Sequence, residues 1–444
     1  MKIALIGQDI PTLLPGLLTD LLFAGKQSAE MALEEKNAAM QDVLQKYGDT
    51  VICDAVARTP GLKATLTVTG SRREVLSAAD CVIYAGDCMA ASRFRMDREA
   101  LMGVEEDDPG LTDQARVNGG IGGLMHTLRQ GEVILDLCEA MQDECPDALV
   151  ICMGQPVGRT VRVFQNAGFR CFGLGRTPLR GANGLDAIAE KLGCKVTDLQ
   201  ATVAGLPGFA FLLSLTDAKT GDDLLPILTD IVEEEELGRL AKRWLGWYGA
   251  VAVGDVTDHA EFMPAQEDYI PEEEPRFGES VEQRKERILW MNTVGDKGLA
   301  ENEGKMAQML LLSRVAPVRP VQLALALMQG KDADIPAVTR RNDGELPDLP
   351  RDAMIESLLT LRGGEIVSHG TELPLPLAEM CEEIDAAGQL AALAAAGDRM
   401  ALRECVETDP ALIGLDRLYL QDVVTRMVAM HSDVLGRLND EEDL

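Results

Sequence analysis

The sequence predicts an α/β protein: a Rossmann-like, doubly wound parallel sheet over residues 1–180, then a mixed, mainly helical domain over 181–444. Three observations carry this expectation. Short apolar runs alternate with helical periodicity through the first 180 residues. The first run, Lys2 to Ile6, ends in Gly7, as the first strand of a dinucleotide-binding domain does. At 444 residues the chain is longer than one domain usually holds, and its rhythm changes near residue 180.

In order, "KIALIG" reads as a strand and "TLLPGLLTDLLFAG" as a helix with a proline near its start. "AEMALEE" reads as a second strand and "AAMQDVLQKYG" as a helix. "DTVICDAV" and "ATLTVTG" are strand-like, "SRREVLSAA" is helical and "CVIYAGD" is a strand. "GGLMHTLRQGEVILDLCEAMQDEC" has the apolar spacing of a long amphipathic helix. The strand "ALVICMG", the helix "VGRTVRVFQNAG" and the strand "RCFGLG" close the alternating part. Beyond it, "GANGLDAIAEKLG" is helical, and "ATVAGLPGFAFLLSLTD" reads as two strands joined at Pro207-Gly208. "QEDYIPEEEPRFGES" has the composition of an exposed loop, and "RLYLQDVVTRMVAMHSDVLGRL" is a closing helix.

Composition excludes several classes. A net charge of -31 speaks against a nucleic-acid partner, which clustered Lys and Arg would serve. No run approaches the length of a membrane span. The ten cysteines include no C-x-x-C pair, and Cys53, Cys81, Cys152 and Cys171 lie within apolar runs. Reduced, buried thiols in a cytoplasmic protein are the expectation.

The opening turn sets the main question. A dinucleotide fingerprint continues with further glycines so that backbone can approach a pyrophosphate. Here Gln8 and Asp9 follow Gly7, adding bulk and negative charge. Glu34 and Glu35 end the second strand, where a carboxylate would bind ribose hydroxyls, or would simply be solvated at a helix start. "NGGIGG", Asn118 to Gly123, precedes the long helix and suits either an anion at a helix N-terminus or a tight turn. The four histidines, His126, His259, His369 and His431, show no metal-ligand spacing. No nucleophile elbow and no P-loop is present.

Taken together, the motifs resemble glycoside hydrolase family 4, the NAD- and manganese-dependent glycosidases, which depart from two-carboxylate chemistry. "TGSRREVLSAADCVIYA" resembles the family's T-x-D-R-x-x-A-L-x-x-A-D-x-V-I block, and "RFRMDRE" its R-x-x-x-D-E. "NGGIGGLMHTLR" is similar to G-x-G-G-x-x-x-x-L-R, "GQPVGRTVRV" to N-P-x-x-x-x-T, and "CFGLGRTP" to G-L-C-H. "AGLPGFAFLLSLTDAKTGDDLLP" resembles the G-L-N-H segment, "DHAEFMP" H-x-x-E-F-x-P, and "RRNDGELPDLPRDAMIE" the N-x-G-x-I-x-N-L-P block. The resemblance implies a lactate/malate dehydrogenase-like superfold and association into oligomers. It also implies chemistry in which bound NAD oxidises the sugar and manganese polarises the oxygens. It places Arg93, Asp97 and Gln155 as substrate contacts, to which the charge of Arg176 adds a fourth candidate, while the opening turn and second strand offer Gly7, Gln8, Asp9 and Glu34 as cofactor contacts.

The departures fall on that machinery. The metal-binding Cys of G-L-C-H is Gly175, followed by Arg176, and the metal-binding His of G-L-N-H is Gly208 after Pro207. Glycine offers no side-chain ligand. The Asn of N-P is Gln155, and Asp258 stands where H-x-x-E-F begins, with His259 shifted by one. The expectation is therefore no manganese site, weakened NAD binding, and a binding or regulatory role, alone or beside a paralogue. Its ligand would be a sugar or sugar acid, with Arg176 suited to an anionic group. Two alternatives stay open. One is an active glycosidase whose ligands have moved to the loop of Asp258, His259 and Glu261. The other is a metal-free nicotinamide oxidoreductase. Asp258, His259, Glu261 and Arg176 are thus the catalytic candidates, and Tyr248 and Tyr269 lie in the region of the family's base.

Overall fold

The computed structural model describes the chain except residues 24–27, 87–89, 103–110, 176–182, 232–237, 256, 265–280, 299–318 and 439–444. The acidic loop at 266–280, with Tyr269, and the candidate Arg176 lie outside the described residues.

The parallel half follows the expected alternation. Strands β1 (Lys2–Ile6), β2 (Ser28–Glu34), β3 (Lys63–Thr69), β4 (Cys81–Tyr84), β5 (Leu149–Cys152) and β6 (Cys171–Gly173) lie in the order 3-2-1-4-5-6, all parallel. Helices α1 (Ile10–Phe23), α2 (Ala38–Arg58), α3 (Arg72–Leu76), α4 (Ala90–Ala100), α5 (Gly120–Glu144) and α6 (Val157–Asn166) connect them. β1 shows why the sheet forms. Ile3 and Leu5 pack on one face, with α1, α2 and the helix Pro320–Gln329. Ala4 and Ile6 pack on the other, with α5, α6 and the C-terminal helices. A strand buried on both faces reads as a continuous apolar run, and each large side chain so buried is worth roughly 1.5–3 kcal/mol.

One element differs from expectation. "DTVICDAV" is not a strand but the second half of α2. Leu44, Tyr47, Gly48, Val51, Ile52 and Ala55 form its buried face, spaced at three and four residues. The β-branched residues gave a local strand signal, and the continuous helical stripe outweighed it. Cys53 lies on the opposite face and is exposed, contrary to expectation, whereas Cys81, Cys152 and Cys171 are buried.

The second half is richer in strands than its helical rhythm implied. β10 (Ala333–Arg341) pairs antiparallel with β6 at Thr339 and Gly173, so the sheet continues without a break. β11 (Met354–Arg362), β7 (Leu199–Leu206), β8 (Phe209–Asp217) and β9 (Val251–Ala252) follow, and β12 (Glu365–Val367) pairs with β11. β7 and β8 are joined by Pro207 and Gly208 alone, as read from the sequence, with Gly208 at φ +80°. The helices Leu375–Ala395, Arg399–Thr408 and Arg417–Met430 pack on the α5–α6 side. Among the described residues no helix is long and apolar enough to cross a membrane.

Candidate active-site cleft

The carboxyl ends of the parallel strands carry the candidate residues, the usual ligand position in such sheets. The β1 turn comes first. Gly7 has φ +124°, and a Cβ there would lie 2.1 Å from the Ala85 carbonyl oxygen that follows β4. The glycine is therefore fixed by a close approach of two strand ends, whatever binds above it. The Asp9 amide donates to that same carbonyl at 3.1 Å, the Ile10 amide donates to Gly7 O at 3.1 Å, and Pro11 has no amide. A pyrophosphate needs such amides pointed at it, so the turn fits a dinucleotide poorly. Gln8 is exposed and Asp9 half-buried at its mouth. Glu34, at the ribose position, is clamped by Arg72 Nε at 3.1 Å, and Glu35 accepts the Asn37 amide at the start of α2.

Four segments meet at the far side of the cleft. After β5 the chain passes Gln155, half-buried, into α6 through a cis Gln155–Pro156 peptide. A Cβ on Gly158 of α6 would touch Pro207 at 3.2 Å, and one on Gly208 would sit 3.3 Å from Phe262 and 3.7 Å from the Asn118 side chain. The strand ends, the β7–β8 turn, the turn at 258–262 and the start of α5 thus share one wall. Gly175 is buried just after β6. Neither it nor Gly208 presents a side-chain donor, so these positions do not fit the metal that the family resemblance implies. Among the described residues no three His, Cys, Asp or Glu gather at metal-binding distance.

The turn at 258–262 separates three residues that sequence had grouped. Glu261 is buried, and its carboxylate accepts the Asn118 amide at 2.8 Å and Asn118 Nδ2 at 2.9 Å. It fills the anion position before α5 that "NGGIGG" left open. Gly119 has no room for a Cβ, which would meet Glu261 O at 2.1 Å, and Gly120 has φ +59°. Burial pushes the Glu261 carboxyl up, against the opposing Asn118 hydrogen bonds and Arg116 charge. Asp258 is half-buried and accepts the Asp255 amide at 2.9 Å. Burial raises its carboxyl to about 8, and the Glu261 and Asp255 charges add to this. His259 turns away into an aromatic cage, its ring 4.6 Å from Phe209, 4.9 Å from Phe211 and 5.1 Å from Trp244. Burial pushes it down to about 3, so it is a neutral core group.

Arg93 and Asp97 lie in a buried ion-pair network. Asp97 takes Arg129 at 3.1 and 2.8 Å and His431 Nε2 at 2.6 Å. Arg93 donates to Asp433 at 2.9 Å and faces His431 Nδ1 at 3.3 Å. Burial opposes ionisation of Asp97, but His431 and Arg129 overcome it and hold its carboxyl below the usual range. Tyr248 ends the helix Arg239–Tyr248, against Trp247. Sequence reasoning missed Glu356 and Thr339, both fully buried on neighbouring strands. The signal was present: a glutamate inside the apolar run "AMIESLLTL".

Comparison with known proteins matches this architecture. The model of family 4 glycosyl hydrolases matches residues 15–177, and that of the family's C-terminal domain matches 203–412. An alpha-glucosidase of Erwinia rhapontici is 30% identical over 162 residues, 36% of this chain and 33% of that protein. A phospho-alpha-glucosidase of Clostridium acetobutylicum is 27% identical over 155 residues, 33% of this chain and 34% of that protein. These matches therefore span about a third of each curated relative. A 6-phospho-beta glucosidase of Thermotoga maritima, solved with manganese, NAD+ and glucose-6-phosphate, superposes with TM-score 0.65 at 15% identity, covering 98% of this chain and 99% of that one. A 6-phospho-alpha-glucosidase from gut microorganisms, solved with NAD and Mn2+, superposes with TM-score 0.66 at 14% identity, covering 98% of each. With both family models matched in order on a Rossmann-like fold, the chain belongs to family 4 of the glycosyl hydrolases.

Proposed function

We propose that this chain is a carbohydrate-binding member of family 4 that does not run the family's metal-assisted hydrolysis. It would act in the cytoplasm as a binding or regulatory protein, as a homo-oligomer or beside a paralogue. One observation carries this reading: Gly208, at the position matched to a metal-binding His, has φ +80° and faces Phe262. The β7–β8 turn is built around glycine, so the ligand was not merely swapped for another donor. Gly175 supports the same reading. The relatives' names support a glucoside or phosphoglucoside as ligand class. An anionic group on it would suit Arg176.

The test combines binding and turnover on one preparation. Neutral, phosphorylated and uronic aryl glycosides are screened for aglycone release with NAD, manganese and reductant, while calorimetry measures sugar binding and light scattering reads the assembly. Binding of a sugar or sugar phosphate without release supports the proposal. Manganese-dependent release, lost in Asp258→Asn, overturns it in favour of an enzyme with relocated ligands.

A further inference from the structure

Helix α1 carries a gap in its own hydrogen bonding. Its second residue is Pro11 and its sixth is Pro15. A helical carbonyl accepts from the amide four residues on, and Pro15, four on from Pro11, has no N–H to give. The Pro15 ring also crowds that carbonyl. Pro15 is buried, so the gap lies where the helix packs. The missing donor comes from 276 residues along the chain: Arg287 Nη1 donates to Pro11 O at 2.9 Å. Arg287 stands on the helix Val281–Lys297, where the same nitrogen lies 3.9 Å from Met291 Sδ one turn on.

α1 meets the second half of the chain again, with the roles reversed. The helix Pro320–Gln329 opens with a proline, and its N-cap residue Arg319 makes no side-chain cap. Its first amides are met by α1 instead. Asp20, buried in the last turn of α1, accepts the Val321 amide at 2.8 Å and the Gln322 amide at 3.1 Å through Oδ2. Arg319 lies 3.8 Å from Oδ1. α1 thus takes a donor at its first turn and gives an acceptor in its last. The helix Val281–Lys297 has its main seat on α2. Trp290 packs on Tyr47 with ring centroids 5.2 Å apart, and a Cβ on Gly295 would lie 3.0 Å from Lys46 Cβ. Arg287 extends that seat to α1.

We infer that Arg287 and Pro15 together form a clasp between the two halves of the chain. Arg287 supplies the hydrogen bond that Pro15 removes, and so ties the helix Val281–Lys297 to the end of α1 that carries the β1–α1 turn. Pro15 leaves the first turn of α1 incomplete by itself, and docking of the second half completes it. With alanine at position 15 the bond would form within α1, and Arg287 would be redundant. The clasp sits at the corner of the cleft where Gly7, Gln8 and Asp9 stand, so a shift of the helix Val281–Lys297 acts on that turn. This rests on the two side chains and one carbonyl, and holds whether or not the chain binds NAD or hydrolyses sugars.

Hydrogen exchange of the whole chain tests the clasp through three variants: Arg287→Met, Pro15→Ala and the two combined. Arg287→Met keeps an unbranched apolar stem and removes the donors. With Pro15 in place, it should lower protection of the peptide spanning 10–18 by roughly tenfold, the scale of one hydrogen bond from a charged donor. With alanine at position 15, the same substitution should change that protection by less than about twofold, because the two residues act through one carbonyl. Peptides in β4 should behave alike in all the proteins. Equal losses in the two backgrounds, or no loss in either, overturn the clasp, since lost packing would be felt alike in both. Should Pro15→Ala fail to fold, the carbonyl carbon-13 shift of Pro11 decides. A shift that moves on Arg287→Met supports the clasp, and one that stays overturns it.

Discussion

Gly208 illustrates how a single residue closes one chemistry. Its φ of +80°, and the 3.3 Å that would separate an added Cβ from the Phe262 ring, make any side chain costly there. Left-handed backbone costs a non-glycine residue roughly 1–2 kcal/mol, before any displacement of the Phe262 ring. Gly208→Ala should therefore lower the stability of folding by about that amount in urea denaturation, and Gly208→His should lower it at least as much without creating tight manganese binding. A restored site would show as a manganese-dependent rise in melting temperature of Gly208→His. Gly7 obeys a harder version of the same rule, since its added Cβ would meet backbone at 2.1 Å rather than a ring that can rotate. The family resemblance placed Gly208 at a ligand position, but only the geometry explains why glycine is kept.

At the scale of elements, the β1–α1 turn carries the expectation about the cofactor. Its Asp9 and Ile10 amides are spent on Ala85 and Gly7 carbonyls, Pro11 has none, and Glu34 is held by Arg72. Little remains to attract a pyrophosphate or to receive a ribose without first breaking an ion pair. NAD should therefore not co-purify, and calorimetry should find binding weaker than low micromolar. A low-micromolar constant would overturn this expectation. The start of α5 tells the same story from the other side. Its glycines invited an anion, and Glu261 supplies one from within the chain. A helix N-terminus satisfied internally is no longer a free ligand site.

Across the whole molecule, the buried network of Asp97, Arg129, His431, Arg93 and Asp433 ties the first half to the chain's last segment. Asp97 lies on α4, Arg129 on α5, and His431 just past the helix Arg417–Met430. Removing one member of a buried pair leaves the other uncompensated, at roughly 3–5 kcal/mol. Asp97→Ala should lose stability on that scale, measured by chemical denaturation, and should expose the C-terminal peptides to hydrogen exchange. Asp97 is held below the usual carboxylate range, so its stabilisation is present at neutral pH and is lost as pH falls through its native value. The wild type should therefore show an acid-side loss of stability that Asp97→Ala lacks.

The sequence by itself determined the layered α/β class, the parallel character of the sheet's first half and the two-residue β7–β8 turn. These rest on local periodicity and on the stereochemistry of glycine and proline, which act over a few residues. The family blocks were legible for the same reason, being short runs with fixed spacing. Tertiary structure alone decided that "DTVICDAV" joins α2, because a helix face 21 residues long outweighs a β-branched stretch. It alone decided the fates of Asp258, His259 and Glu261. Neighbours in sequence, they go respectively to the Asp255 amide, an aromatic cage and the start of α5. It also set Glu356 of β11 in one register row with Gly173, at the end of β6, through Thr339. Charge and burial depend on what the sheet brings alongside a residue, and strand pairing between distant segments leaves no trace in local pattern.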